Sequence, residues 1–163
     1  MRSSRVLIVD DESSLRTALF RILDRKGLSV VTANQAEEAK LFSQGEQPLD
    51  LAIVDLNLPD GDGIELMVHL KTAHPNCQVI ILTGHGTIES AVRATQQGAF
   101  HFMTKPFNME ELVSIVEKAL AHKKLQQENQ QLRTELNRKY QFDHIIGQSE
   151  AIKNVLSLIE RVA

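Results

Sequence analysis

Cysteine is nearly missing from this sequence. Cys77 stands alone among 163 residues, which excludes an intramolecular disulfide and fits a reducing compartment. Long apolar runs are missing too: the first, Val6 to Val9, is too short for a signal peptide, and no later one approaches a membrane span. A cytoplasmic protein with no membrane partner is therefore expected. An excess of basic charge is the third absence. The formal net charge is -3, so nothing draws the chain as a whole toward nucleic acid, and direct nucleic-acid contact by these residues is not expected. What remains is ordinary. With 42% hydrophobic and 24% charged residues, the chain has enough apolar side chains for a sizeable core and length beyond one common domain.

Short apolar runs alternate with longer amphipathic stretches, the pattern of a parallel sheet wrapped by helices. The runs are "VLIV" from Val6, "LSVVTA" from Leu28, "LAIV" from Leu51, "VIIL" from Val79 and "AFHFM" from Ala99. After the first, Leu15, Ala18, Leu19, Ile22 and Leu23 recur at helical spacing, and Gly27 suits the stop. Residues 34–42, 63–73 and 88–97 read as helices in the same way. Five strands with their helices predict a doubly wound α/β domain of about 120 residues.

Glycine and proline vanish between Asn108 and Gln141, and Asn108 is suited to cap a helix there. Leu112, Ile115, Val116, Ala119 and Leu120 form a face able to cover the sheet. Beyond them Gln, Glu, Lys and Arg dominate, with leucines only at Leu125, Leu132 and Leu136. With Leu125 and Leu132 at heptad position d, Asn129 and Leu136 fall at a. That predicts a short coiled-coil seam, with a polar a residue of the kind that sets register and oligomer state. A homodimer through this extended C-terminal helix is expected. The closing residues turn apolar again, with a turn expected at Gly147, a cap at Ser149 and a helical face of Ile152, Val155, Leu156 and Ile159. The domain reading is residues 1–121 for the α/β domain, 122–141 for a helical linker, and 142–163 for the opening of a truncated further domain.

Sites in open parallel sheets form outside the carboxyl ends of the strands, where strand order reverses. Four of the five runs end in chemistry there: Asp10 and Asp11, then Asp55, then Thr83, then Lys105. The second run ends in Thr32 and Ala33, as suits an edge strand. Three carboxylates at contact distance disfavour their own ionisation unless a cation compensates them. Mg2+ is the expected cofactor, because it takes oxygen ligands, keeps some of its waters, and uses one or two carboxylates plus a phosphate oxygen. A carboxylate attacking phosphorus gives an acyl phosphate, a known form of covalent catalysis. Thr83 could donate to a phosphoryl oxygen and Lys105 could pair with another. These residues alone do not choose among Asp10, Asp11 and Asp55 as the nucleophile. The histidines, including His85 and His101, show no metal-ligand spacing, and Cys77 is read as a packing residue.

"LIVDDE", "LAIVDLNLPDGDGIEL", "VIILTGHG" and "FMTKPF" together resemble the receiver domain of two-component response regulators, over roughly Arg5 to Leu120. The resemblance implies a CheY-like, flavodoxin-like five-stranded sheet of order 2-1-3-4-5. It makes Asp55 the phosphoacceptor, and Asp10 with Asp11 the acidic pair. Asp11, Asp55 and the backbone carbonyl of Asn57 would hold Mg2+. Thr83 and Lys105 become the switch pair, Phe102 the aromatic that follows them, and Lys105-Pro106 a cis peptide. A sensor histidine kinase is the implied partner. The protein would then be a phosphoacceptor and switch, with Mg2+-dependent self-phosphorylation and autodephosphorylation, rather than a turnover enzyme.

The linker and "FDHIIGQSEAIKNVLSLIERVA" resemble the junction between receiver and AAA+ ATPase domain in NtrC-like, sigma-54-dependent transcription activators. By that resemblance RNA polymerase with sigma-54, and DNA, would be reached through absent domains. No GxxxxGK[ST] phosphate loop occurs in these residues. Two rival readings come from other classes. An aspartyl-nucleophile phosphatase would want an acid two residues after Asp55, where Asn57 stands. A flavodoxin-like cofactor binder would want a Gly/Ser/Thr-rich phosphate loop after the first strand, where carboxylates stand instead.

Overall fold

The structure, a computed structural model, describes the backbone of residues 3–45 and 47–160, and side chains as far as residue 139. Contacts divide the chain into two units, Met1–Lys124 and Leu125–Ala163. The first carries the sheet. The elements of the chain in order are β1 (Arg5–Val9), α1 (Ser13–Arg25), β2 (Ser29–Ala33), α2 (Ala36–Ser43), β3 (Leu51–Asp55), β4 (Asn57–Leu58), β5 (Gly61–Asp62), α3 (Gly63–Ala73), β6 (Gln78–Thr83), α4 (Ile88–Gln96), β7 (His101–Thr104) and α5 (Met109–Glu160).

Five strands form one parallel sheet in the order β2-β1-β3-β6-β7. Counting only these five, that is the expected order 2-1-3-4-5. Every residue of β3 and β6 is buried, which is why both read as unbroken apolar runs rather than as alternating strands. Side chains leave the sheet on both faces. Leu7, Val9, Ala52, Val54, Val79 and Ile81 pack with Leu66, Met67 and Leu70 of α3. Val6, Ile8, Leu51, Ile53, Ile80 and Leu82 pack with Leu19 and Leu23 of α1 and with Leu112, Val116 and Ala119 of α5. Each Val, Leu, Ile or Met among them contributes roughly 1.5–3 kcal/mol by leaving water. Cys77 is fully buried, and burial pushes its thiol up to about 12, so it packs and does not react.

The helix boundaries follow local chemistry. Gly27, at φ 78°, closes α1, with its N–H on the Asp24 carbonyl at 2.8 Å. Asn108 Oδ1 accepts from Glu110 N at 2.8 Å, the cap expected for α5. Helix α2 starts at Ala36 rather than at residue 34. Its first amides, Ala36 and Glu37, donate to the two carboxylate oxygens of Asp60 at 2.7 and 2.9 Å, while the Asn34 amide is taken by Glu38 Oε2. The "LPDGDG" turn is also more ordered than expected: Asn57–Leu58 and Gly61–Asp62 pair as a two-stranded antiparallel ribbon.

In the second unit α5 runs as helix through Gly147 to Glu160, where the sequence reading expects a turn. A single glycine costs a helix already under way only about 1 kcal/mol, so it does not end one. The expected cap at Ser149 and the face from Ile152 to Ile159 concern side chains outside the described residues. Leu125, Leu132 and Leu136 are exposed, at 64%, 60% and 53%. No helix among the described residues is long and apolar enough to cross a membrane.

Candidate functional site

Parallel register carries the strand ends to one rim of the sheet. Val9 lies opposite Val54, Asp55 opposite Leu82, and Thr83 opposite Thr104. Residues one step beyond these pairs, Asp10 and Lys105, therefore meet Asp55 although they come from distant parts of the chain. One carboxylate oxygen from each of Asp10, Asp11 and Asp55 lies within 4.8 Å of the other two. Asp10 and Asp55 are buried, at 1% and 5% exposure, while Asp11 is open to solvent.

Lys105 is the cation that answers them. Its Nζ stands 2.7 Å from Asp10 Oδ2 and 2.5 Å from Asp55 Oδ2. The remaining oxygens of these two acids are also engaged. Asp10 Oδ1 accepts from Glu12 N at 2.9 Å and Asp55 Oδ1 from Asn57 N at 3.0 Å. Burial still raises the Asp10 carboxyl above its ordinary value, against the opposing pull of Lys105 and the Glu12 amide. Burial alone would lower Lys105, yet its two carboxylate partners together raise it. With all groups ionised, three negative charges face one positive charge. The pocket keeps room, electrostatically, for a further cation.

Thr83 is fully buried beside this cluster, and its Oγ1 accepts from His85 N at 3.1 Å. Its own hydroxyl proton is not consumed by that bond. Behind it the loop after β6 packs tightly: a Cβ on Gly86 would stand 2.8 Å from Thr104 Cγ2, 3.0 Å from Thr83 Cγ2 and 3.2 Å from Phe102 Cε1. Thr83, Thr104 and Phe102 thus meet the same glycine. Phe102 is half-buried on β7, and the Lys105-Pro106 peptide is cis.

Residues 6–117 match the family described as the response regulator receiver domain. The chain belongs to that family. It is 36% identical over 163 residues to the DNA-binding transcriptional regulator NtrC of Escherichia coli (strain K12), covering all of this chain and 34% of that protein. The chain thus spans about a third of the length of the curated relatives it matches. Among solved structures, the beryllofluoride-activated NtrC4 receiver domain dimer is 35% identical with a TM-score of 0.67, covering 73% of this chain and 98% of that one. A response regulator from Burkholderia pseudomallei, solved with a phosphorylated aspartic acid, calcium ion and citrate, is 27% identical with a TM-score of 0.66, covering 77% of this chain and 73% of that one. Neither rival reading, phosphatase or flavodoxin-like binder, finds support in these likenesses.

In this receiver domain the structure brings together Asp10, Asp11, Asp55 and Lys105, and sets Thr83 and Phe102 around Gly86 at the ends of β6 and β7. Asn57 enters through its backbone N–H on Asp55. Four contributors escaped the sequence reading. Asp60 holds the loop after β3 to α2, Asp62 caps α3 through Ile64 N at 2.7 Å, Arg16 reaches the Asp10 carbonyl at 2.6 Å, and Gly63 abuts Asp55. "LPDGDG" signalled a turn at the pocket, but no spacing rule reports which amide each acid will meet.

Proposed function

We propose that the protein is a phosphorylation-controlled switch in which Asp55 accepts a phosphoryl group from a sensor histidine kinase. The observation that carries this is the position of Asp55, buried at a strand end between Lys105 and the open carboxylate of Asp11. An Asp55 oxygen attacks phosphorus. The O–P bond forms as the P–N bond to the donor imidazole breaks, and the electron pair leaves with the nitrogen. The product is an acyl phosphate. Lys105, released from Asp55 Oδ2, pairs with a phosphoryl oxygen, and the Thr83 hydroxyl donates to another. Movement of Thr83 vacates space that Phe102 can enter, and that biases the surface of α4, β7 and α5.

The donor set fits Mg2+. Its carboxylates are hard oxygen donors of the kind the ion takes, and one oxygen from each of Asp10, Asp11 and Asp55 lies within 4.8 Å of the other two. Asp11, Asp55 and the Asn57 carbonyl would hold the ion, with Asp10 beside them. When bound it neutralises charge on the incoming phosphoryl group. The named likenesses support both halves of the reading, since one carries a phosphorylated aspartic acid with a divalent cation and another is an activated receiver dimer.

We further propose that this receiver controls a sigma-54-dependent transcription activator in the cytoplasm and reaches RNA polymerase and DNA through other domains. The domain boundaries at 121 and 141 belong to the same reading, as does a homodimer through the helix bearing Leu125 and Leu132. The test is labelling with acetyl phosphate and Mg2+. Wild type should gain one phosphoryl group and Asp55→Asn none. A mutant labelled as well as wild type removes Asp55 from its role.

A further inference from the structure

Asp10 and Asp55 are each held by Lys105 and by a backbone amide. Asp11 is different. It is exposed, and its side chain accepts no hydrogen bond among the described residues, so its backbone alone sets where the side chain starts and which rotamers reach the pocket. That backbone is pinned on both sides. The peptide that follows Asp11 is fixed by its N–H, Glu12 N donating to Asp10 Oδ1 at 2.9 Å. The peptide that precedes it is fixed by its carbonyl, Asp10 O accepting from Arg16 Nη1 at 2.6 Å. Arg16 sits half-buried on α1, and its amide makes an early helix bond, to Glu12 O at 3.1 Å. The guanidinium is thus carried on a rigid element, and its bond to the carbonyl is charge-assisted.

We infer that Arg16 is a positioning residue for divalent-cation binding, acting through the Asp10–Asp11 peptide to aim the Asp11 carboxylate into the pocket. The inference rests on the metal reading given under Proposed function. It has an unusual sign. By charge alone a guanidinium beside a cation site repels the cation, so removing it should tighten Mg2+ binding. If Arg16 orders a ligand, removing it should loosen Mg2+ binding, because partners that orient metal ligands are typically worth tenfold or more in affinity.

The experiment is Mg2+ titration of the whole 163-residue chain, read by amide NMR shifts. Thermal unfolding without Mg2+ checks that each variant is folded. Arg16→Met should weaken Mg2+ binding roughly tenfold, while Arg16→Lys, which keeps a charged donor, should restore most of the affinity. Arg16→Gln serves by the same criterion should Arg16→Met not fold. Unchanged or tighter binding in the neutral variant overturns the role of Arg16 and leaves the metal reading standing. A wild-type chain that does not bind Mg2+ overturns both.

Discussion

Gly63 lies so close to the backbone of Asp55 that a Cβ there would come within 2.1 Å of the Asp55 carbonyl oxygen. The first residue of α3 is in effect a packing surface for Asp55, the proposed phosphoacceptor, and the Gly63 amide donates to Leu56 O at 2.8 Å. Nothing at that distance is a flexible side-chain end, so a methyl group can be admitted only by moving a strand or a helix. Gly63→Ala should therefore cost about 2–3 kcal/mol of stability, and acetyl-phosphate labelling should slow as Asp55 shifts. Urea unfolding decides it. A variant as stable as wild type would mean that α3 can retreat freely from the strand.

Asp10 gives the protein its own pH dependence. Its carboxyl is raised above the ordinary value, chiefly by burial, so the folded state binds its proton more tightly than the unfolded chain does. Between the ordinary value and the raised one, stability falls as pH rises, and above both the cost is fully present. Asp10→Asn should accordingly melt higher than wild type at pH 7 without Mg2+. That advantage should shrink as the pH is lowered toward 4, because wild-type Asp10 then takes up its proton. Melting curves across that range check the sign, and a variant less stable at pH 7 would contradict it.

Opposite the acidic rim, Lys123 anchors α5. Its side chain is only 6% exposed, its Nζ is 2.6 Å from Asp50 Oδ1, and it also donates to Leu49 O at 3.1 Å. Asp50 Oδ2 accepts from Arg5 N at 2.6 Å. Removing one member of a buried pair strands the other. Lys123→Met should cost about 3 kcal/mol, and replacing Asp50 as well should recover part of that. Chemical denaturation of Lys123→Met, Asp50→Asn and the double variant gives the coupling directly. A loss within the range of a surface pair would show that water reaches Asp50.

The exposed leucines make the dimer proposal testable. Leu125→Ala with Leu132→Ala should weaken self-association, measured by light scattering with and without a phosphoryl mimic, and leave acetyl-phosphate labelling intact. An unchanged mass in both states would remove the coiled-coil reading and leave the receiver untouched.

Strands β1, β3 and β6 were legible because burial on both faces leaves no alternation to misread. Val6 to Val9 and Val79 to Leu82 are continuous apolar runs, and each is at most 1% exposed. The acidic rim was legible because several charges at the ends of neighbouring buried runs call for a compensating group. Arg16 and Lys123 were not legible, since each finds its partner by the path of a long side chain. The start of α2 was missed for a related reason: Asp60, 24 residues from Ala36, decides it. In β7 the strand begins at His101 rather than at residue 99 because the Ala99 amide is still bonded to the end of α4, at Ala94 O. Local pattern reports what a segment prefers, whereas these contacts depend on what lands beside it.

The ammonium bridging Asp10 and Asp55 ties the two strand ends together through one side chain. While it stays, one oxygen of each acid is taken, so a phosphoryl group that joins Asp55 as proposed has to compete with it. On the proposed reading, withdrawal of that one side chain from Asp55 arms the protein, and its re-seating on the phosphoryl group records the event.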